Sequence, residues 1–239
     1  MKLIIIRHGD PDYSIDSLTE KGWREAELLS ERISRLDVKA FYCSPLGRAK
    51  DTASLTLKKM NRKAKTLNWL REFEGRVSIN GEMKRAWDRF PREWTDNDDY
   101  YCPDKWLKTD LMQSGTVEKE YKKLCRGVDK LLERYGYVHE GRIFKAIEPN
   151  HDTVVLFCHY GVECAILSHI FGCSPMVMWH NFVALPTSVT TLVTEEREKG
   201  IAIFRMQQFA DISHLYAAGE EPSFAARFCE CYTDDTRHD

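Results

Sequence analysis

Strand-like and helix-like segments alternate along the first 70 residues, and this alternation constrains the fold more than any other feature of the chain. The apolar run LIII at residues 3–6 is typical of a strand that is buried on both faces. Residues 17–36 have a helical pattern, because Ser17 and Glu20 have capping-box spacing and apolar residues then recur at helical intervals. The order strand, helix, strand, helix, strand predicts an α/β fold with a mostly parallel sheet and helices on both faces.

The remaining elements lie on either side of an unusual middle segment. A second strand is predicted in KAFYCS, a second helix in SPLGRAKDTASLTLKKM and a third strand in KAKTLNWL. The pattern resumes with the strand TVVLFC, a helix, and a hairpin of SVTTLVTE with IAIFRMQQF. We therefore predict a single domain over residues 1–239. The segment at about 75–150 is predicted to be a helical insertion over the carboxyl edge of the sheet, with an ordinary helical layer as the alternative.

Composition excludes several classes of protein. The 239 residues are 43% hydrophobic, which is enough for a large core, and the formal net charge of −2 gives no general attraction to nucleic acid or to an anionic membrane. The apolar runs are too short to span a bilayer, and the first residues lack the pattern of a secretory signal. We therefore expect a cytoplasmic protein that binds neither nucleic acid nor a membrane, and the sequence leaves its oligomeric state unknown.

The eight cysteines are scattered and are expected to be free thiols. Structural zinc is the alternative, but no C-x-x-C pair is present and Cys229-x-Cys231 is not a usual zinc spacing, so we expect no metal site. Histidines outside the recognisable motifs are expected to be structural or surface residues, among them His151, His169, His180, His214 and His238.

Polar segments follow four of the predicted strands, namely RHG, CSPLGRAKDTA, LREFEG and FCHYG. In open α/β sheets ligands bind at the carboxyl ends of the strands, and these ends share one edge of a parallel sheet. The side chains expected to converge on one pocket at this edge are Arg7, His8, Arg48, Glu72 and His159.

Two arginines and two histidines in one pocket form a site for a small dianion. Guanidinium groups bind phosphate oxygens bidentately, and a neutral imidazole nitrogen can attack phosphorus to form a covalent intermediate. Fixed cations can stabilise the transition state without a metal ion. The leaving alkoxide also needs a proton donor, and either Glu72 or Glu74 is a candidate, since nearby phosphate oxygens would raise the pKa of a carboxyl group.

The motifs occur in a fixed order along the chain: Arg7-His8-Gly9, Ser44-Pro45-Leu46-Gly47-Arg48-Ala49, Leu70-Arg71-Glu72, and His159 with Gly161. Together with SLTEKGWREA, which is similar to a leucine-threonine-x-x-glycine helix start, they resemble the histidine phosphatase superfamily, also called phosphoglycerate mutase-like. The resemblance covers residues 1 to about 75 and 150 to 195. The middle of the chain matches no motif of that family.

The resemblance implies a three-layer phosphoglycerate mutase-like fold, no cofactor, no metal and a small phosphorylated metabolite as substrate. It makes His8 the nucleophile that becomes phosphohistidine, and it selects Glu72, the acid of the leucine-x-glutamate motif, as proton donor. The rest of the implied phosphate pocket consists of Arg7, Arg48 and His159. Candidate substrate contacts are Tyr13, Tyr160 and Ser188, the last of which is equally explained as the start of a strand.

One departure from the family pattern bears on the reaction. Phosphoglycerate mutases follow their RHG with a small hydroxyl residue and then tryptophan and asparagine, whereas this chain has Asp10 after Gly9 and no asparagine. We therefore predict a phosphatase rather than a mutase. The alternatives are phosphoglycerate mutase-type phosphoryl transfer and a non-catalytic module that binds a phosphorylated ligand, and the complete set of histidines, arginines and a candidate acid argues against the module.

Overall fold

A computed structural model describes residues 1–225 and 227–238. The strands in this part of the chain are β1 (Lys2–Arg7), β2 (Pro11–Asp12), β3 (Ser17–Leu18), β4 (Ala40–Cys43), β5 (Ala64–Thr66), β6 (Arg76–Ile79), β7 (Glu82–Arg85), β8 (Tyr137–Glu140), β9 (Ile143–Ala146), β10 (Thr153–Cys158), β11 (Val189–Glu198) and β12 (Ile201–Asp211). The α-helices are α1 (Glu20–Ile33), α2 (Gly47–Met60), α3 (Asp110–Gln113), α4 (Val117–Arg134), α5 (Tyr160–Phe171), α6 (Pro175–Asn181) and α7 (Ser213–Ala217).

Eight of the strands form one sheet in the order β5-β4-β10-β1-β11-β12-β9-β8. The pairings among β5, β4, β10 and β1 are parallel, and the remaining four strands add to this unit by antiparallel pairing. The predicted hairpin of β11 and β12 is present. The α/β class, with a central sheet and helices around it, is confirmed. None of the helices in the described residues is long and apolar enough to cross a membrane.

Strand β1 is buried on both faces, as its apolar run predicts. Leu3 and Ile5 join the larger core, which includes residues of α4, α5 and α6, whereas Ile4 and Ile6 join a second core with residues of α1 and α2. Successive side chains of a strand point to opposite faces, so one strand supplies both cores. Each fully buried aliphatic side chain contributes about 1.5–3 kcal/mol, and this burial holds the carboxyl end of β1 firmly in place.

Helix α1 begins two residues later than the sequence predicts. Its N-cap is Thr19, whose hydroxyl accepts a hydrogen bond from the backbone N–H of Gly22 at 3.0 Å, whereas Ser17 lies in β3. The Thr19 hydroxyl also donates to the carboxylate of Asp10 at 2.7 Å. A Cβ atom on Gly22 would lie 2.2 Å from the Asp10 carbonyl oxygen, so only glycine fits there. The Leu-Thr-x-x-Gly pattern therefore fastens α1 to the loop that follows β1.

The segment at about 75–150 is less helical than predicted. It contains the hairpin of β6 and β7, short 3-10 turns at 91–93, 98–100 and 106–108, and the four-residue helix α3. The predicted long helix is α4, after which β8 and β9 extend the central sheet. The third predicted strand is also shorter, since β5 ends at Thr66 and residues 68–70 form a 3-10 turn. Strands of three or four residues are stabilised by pairing with the sheet, so their own sequence predicts them poorly.

Candidate active site

The carboxyl ends of β4, β10 and β1 lie side by side, and the residues predicted to form a pocket occur there. Arg7 ends β1 and His8 follows it, while His159 follows β10 as the N-cap of α5. Arg48 lies in the first turn of α2, just after β4. The imidazole rings of His8 and His159 have their centroids 5.0 Å apart. The structure therefore brings these four side chains to one edge of the sheet.

The geometry around His8 determines which of its ring nitrogens carries the proton. Nδ1 lies 2.7 Å from the carbonyl oxygen of Gly9, and because a carbonyl oxygen only accepts, Nδ1 is the protonated nitrogen. Nε2 then holds a lone pair and accepts from Nε of Arg48 at 3.4 Å. Burial lowers the pKa of His8 well below its ordinary value, and the charges of Arg7 and Arg48 lower it further. His8 is therefore a neutral imidazole with an unprotonated Nε2.

In His159, Nε2 is the nitrogen with a protein partner, and Nδ1 is left open. The hydroxyl oxygen of Ser44 accepts from the N–H of Leu46 at 3.2 Å, so its hydrogen is free to donate to Nε2 of His159 at 2.7 Å. When Ser44 donates in this way, the proton of His159 lies on Nδ1, which is buried and has no hydrogen-bond partner among the described residues. Burial lowers the pKa of His159 well below its ordinary value, as do the neighbouring cations. The Nδ1–H group is thus a neutral donor available to a bound anion.

The guanidinium group of Arg7 is almost completely buried, with 4% of the residue exposed. One terminal nitrogen donates to the carbonyl oxygen of Ala184, whereas Nε has no partner within the described part of the chain. The backbone N–H of Arg7 donates to the carbonyl oxygen of Ser188 at 3.2 Å. An unpartnered buried donor costs about 1–3 kcal/mol, and an anion bound at the pocket would remove this cost.

Arg48 is held by a residue that the sequence motifs do not identify. Asp16 pairs with Nη1 of Arg48 at 2.6 Å through one carboxylate oxygen and accepts from the N–H of Gly47 at 2.7 Å through the other. Burial alone would raise the pKa of Asp16, but the donors of Gly47 and Arg48 outweigh it and lower the pKa. A Cβ atom on Gly47 would lie 2.0 Å from the Asp16 carbonyl oxygen. Asp16 belongs to no local pattern, so only tertiary contacts reveal its role.

Of the two candidate acids, Glu72 lies at the pocket and Glu74 does not. Glu72 Oε1 accepts from the N–H groups of Phe73 at 2.7 Å and Val162 at 3.0 Å. Val162 is in the first turn of α5, where the helix dipole stabilises a carboxylate. Burial lowers the pKa of Arg7, and the charge of Glu72 opposes this shift, so the carboxylate lies near the guanidinium group. Glu74 is exposed and pairs with a neighbouring arginine at 3.1 Å.

Trp87 brings the middle segment of the chain to the site. A Cβ atom on Gly161 would lie 2.8 Å from Glu72 Oε1 and 3.0 Å from the Trp87 ring, so the start of α5 packs closely against both side chains. The indole N–H of Trp87 donates to the carbonyl oxygen of Phe73 at 3.0 Å. The ring of Trp87 lies edge-on to that of Tyr160, with centroids 6.2 Å apart. This tryptophan therefore forms part of the wall beside Glu72.

The three candidate substrate contacts differ in their availability. Tyr13 is 69% exposed, and the guanidinium group of Arg48 lies 5.4 Å from the centre of its ring. The hydroxyl of Tyr160 is already used, since it donates to the carbonyl oxygen of Phe182 at 2.8 Å, and only its ring faces the pocket. The Ser188 hydroxyl is buried and unpartnered in the described structure. Tyr13 is the only one of the three whose side chain is open to solvent.

Glu163 is a buried acid that the sequence analysis missed. It lies on α5 with no exposed surface, and neither carboxyl oxygen has a hydrogen-bond partner in the described chain. The Thr190 hydroxyl is nevertheless close enough to favour the charged form of this acid and so to lower its pKa. Burial raises the pKa of Glu163 to about 7, with Arg7 lowering it and Glu72 adding to the rise. The signal available in the sequence was a single acid within the apolar helix GVECAILSHIF.

Several solved structures share this fold. A phosphoserine phosphatase from Entamoeba histolytica, crystallised with phosphoserine, superposes with a TM-score of 0.59 and 19% identity, covering 90% of this chain and 98% of that one. A mycobacterial glucosyl-3-phosphoglycerate phosphatase superposes with a TM-score of 0.58 and 18% identity, covering 87% and 98% of the two chains. At these identities the likeness shows the fold alone.

Sequence comparison gives a local relative and a family. A 2,3-bisphosphoglycerate-dependent phosphoglycerate mutase from Thermoplasma acidophilum is 38% identical over 69 residues, which are 25% of this chain and 34% of the mutase. The chain thus matches about a third of the length of that curated relative. The sequence model of the histidine phosphatase superfamily (branch 1) matches residues 3–206, a span that includes all the pocket residues described above. This chain belongs to the histidine phosphatase superfamily.

Proposed function

We propose that this protein is a phosphatase that hydrolyses a small phosphomonoester through a phosphohistidine at His8, with Glu72 as proton donor. The observation that carries the proposal is the 2.7 Å contact between Nδ1 of His8 and the Gly9 carbonyl oxygen, because it leaves Nε2 unprotonated, with only a long 3.4 Å contact from Arg48. A neutral, buried imidazole held between two arginines is suited to attack a phosphorus atom whose oxygens those arginines bind.

In the first step, the phosphate oxygens bind the open donors of the pocket, which are supplied by Arg7, Arg48 and Nδ1 of His159. Nε2 of His8 attacks phosphorus in line with the ester oxygen, so the N–P bond forms as the P–O bond of the ester breaks. The leaving alkoxide takes the proton of the Glu72 carboxylic acid. The Nδ1–H bond to Gly9 stabilises the positive charge that develops on the imidazole.

In the second step, the Glu72 carboxylate accepts a proton from water, and the oxygen of that water attacks the phosphorus of phosphohistidine. The N–P bond breaks, inorganic phosphate leaves and His8 returns to its neutral form. Arg7 and Arg48 supply the positive charge that balances the negative phosphate oxygens in both steps. The residues of the pocket therefore account for both steps without a metal ion.

We further propose that the middle segment acts as a cap that selects the substrate, since Trp87 extends from it to the wall beside Glu72. The substrate class is a small phosphorylated metabolite. Phosphoserine and 3-phosphoglycerate, which are bound in structures of the Entamoeba phosphoserine phosphatase, are the first compounds to test. A cytoplasmic location stays a prediction.

Phosphoglycerate mutase-type transfer is the second candidate, because the curated relative with 38% local identity is a mutase. It shares the first step, but the phosphoryl group then passes to a second hydroxyl, and a bisphosphate must first charge the histidine. The loop after Gly9 argues for hydrolysis, because the carboxylate of Asp10 is held by the hydroxyls of Thr19 and Ser223 and anchors the chain instead of contacting a ligand.

The test is release of inorganic phosphate from a generic aryl phosphate by the purified chain in chelator, across acidic to neutral pH. We expect the native protein to release phosphate and His8→Ala to release none, with exposed His151→Ala as the matched control that retains activity. Glu72→Gln should lose most of the activity and Glu74→Gln should keep it. Turnover that appears only with a bisphosphate primer would indicate a mutase, and ligand binding without turnover would indicate a binding module.

A further inference from the structure

Asp129, His139 and His169 bring three potential metal ligands together, far from the phosphate pocket. They come from three elements, α4, β8 and the last turn of α5. His169 follows His159 by ten residues, which corresponds to about 15 Å along a helix axis. The cluster therefore lies at the opposite end of α5 from His159, which is beside the proposed nucleophile His8. It has no part in the chemistry described above.

The three ligand atoms lie slightly closer together than the ligands of a bound transition-metal ion. Oδ1 of Asp129 lies 2.7 Å from Nε2 of His169 and 3.0 Å from Nδ1 of His139, and the two ring nitrogens are 3.3 Å apart. Nitrogen and oxygen ligands at about 2.0–2.1 Å from a tetrahedral zinc ion are about 3.3 Å from one another. A shift of a few tenths of an ångström by the Asp129 side chain would complete this geometry.

Protons hold this triangle of atoms together only when both ring nitrogens donate to the same carboxylate oxygen. If both ring nitrogens carry protons, both donate to Oδ1 of Asp129, and the two donors then lie 3.3 Å apart. If one nitrogen is unprotonated, its lone pair faces the lone pairs of Asp129 at 3.0 Å or less. A divalent cation accepts a lone pair from each of the three atoms at once, so it binds both histidines in their neutral form.

The surroundings hold the ligands in place but leave one side open. The ring of His139 stacks on Phe144, with centroids 4.4 Å apart and an angle of 12° between the planes. The side chains of His139 and His169 are 14% and 16% exposed, and that of Asp129 is 39% exposed. An ion can therefore enter from solvent, and water can supply a fourth ligand.

We propose that Asp129, His139 and His169 bind one divalent transition-metal ion, for which Zn²⁺ is the best match because it favours imidazole and carboxylate ligands in tetrahedral geometry. Since β8 is the edge strand of the sheet, the ion ties this edge to helices α4 and α5. Its role is structural. The proposal revises the expectations that the chain has no metal site and that His169 is an ordinary structural or surface residue.

The test uses the full chain, stripped with chelator and desalted, and titrated with Zn²⁺ by calorimetry and with Co²⁺ by visible absorption. We expect one equivalent of either ion, and intense absorption bands typical of tetrahedral Co²⁺. At a free zinc concentration of about 100 times Kd, the Tm should rise by about 5–10 °C. His139→Ala and His169→Ala should each lose this equivalent and this rise, and Asp129→Asn should weaken binding at least about tenfold.

Two other pairs of potential zinc ligands serve as controls. Sγ of Cys229 lies 3.2 Å from Nδ1 of His238, and His8 lies near His159 in the pocket. Cys229→Ser and His8→Ala should therefore keep the full equivalent of metal and the rise in Tm. Absence of Zn²⁺ binding to the native chain overturns the proposal, as does binding that survives the changes at His139 and His169. Should an alanine variant fail to fold, Asp129→Asn, which preserves side-chain shape, decides the outcome.

Discussion

Replacement of Glu163 by glutamine removes a buried acid at almost constant volume, and the structure predicts that this change stabilises the protein at alkaline pH. Neither carboxyl oxygen of Glu163 has a hydrogen-bond partner among the described residues. Burial raises its pKa from an ordinary value of 4.5 to about 7, even though Arg7 favours the charged form. The native protein therefore bears the cost of an ionised, buried carboxylate whenever the pH is high enough to remove the proton.

The magnitude follows from the linkage between proton binding and folding. A carboxyl group with a higher pKa in the folded state binds its proton more tightly there, so folding stability falls as the pH rises from the unfolded pKa through the folded pKa. For the pKa of about 7 at Glu163, the loss is about 3 kcal/mol at about pH 8 and about 1 kcal/mol at about pH 5. Glutamine has no such loss. Relative to the native protein, the variant should gain about 2–3 kcal/mol in free energy of unfolding between those two pH values.

The assay is urea unfolding of both proteins at several pH values between these limits, with the difference in free energy of unfolding plotted against pH. Burial also raises the pKa of Glu25 to about 7. Because Glu25 is present in both proteins, its contribution cancels in the difference between their free energies of unfolding. Exposed Glu74→Gln is the matched control and should follow the native protein. A difference that does not change with pH would refute the reasoning. So would a variant that is less stable at every pH, because Glu163 would then be an ionised partner of Arg7.

Three further changes test the supports of the site. Asp16→Asn should lower kcat/KM about tenfold in steady-state phosphatase assays, because Arg48 loses a charged hydrogen bond at 2.6 Å, and the Tm should change little. Ser44→Ala should lower kcat about tenfold or more, since the proton of His159 is then no longer held on Nδ1. An unchanged pH–rate profile would argue against this role of the Ser44 hydroxyl. Gly22→Ala should destabilise the fold by more than about 2 kcal/mol in thermal unfolding, because its Cβ atom would lie 2.2 Å from a carbonyl oxygen.

Local patterns predicted those parts of the site that lie next to a strand end. Arg7 and His8 follow a strand whose apolar run marks it as buried, and His159 follows another, so their positions in the chain and in the sheet coincide. Arg48 was found by the same logic at the start of α2. These residues are predictable because hydrophobic periodicity is a local property and parallel strands share one carboxyl edge.

Contacts between distant segments distinguish the surroundings of the two candidate acids. Glu72 and Glu74 are two residues apart and equally placed by the strand pattern, but only Glu72 reaches the N–H of Val162, 90 residues further along the chain. Asp16 and Ser44 likewise gain their roles from partners in other elements, namely Arg48 and His159. Hydrogen-bond partners at such separations depend on how the elements pack, and no sequence period encodes them.

The sequence by itself determined the α/β class, the buried strand β1, the edge of the sheet at which the pocket lies, and the histidines and arginines that line it. Only the tertiary structure decided which ring nitrogen of His8 is free, that β8 and β9 complete the sheet, and that Asp129 and His139 meet His169. The physical reason is the range of the interactions. Burial repeats along the chain with the period of each element, whereas proton positions, short edge strands and ligand clusters arise where elements distant in sequence come into contact.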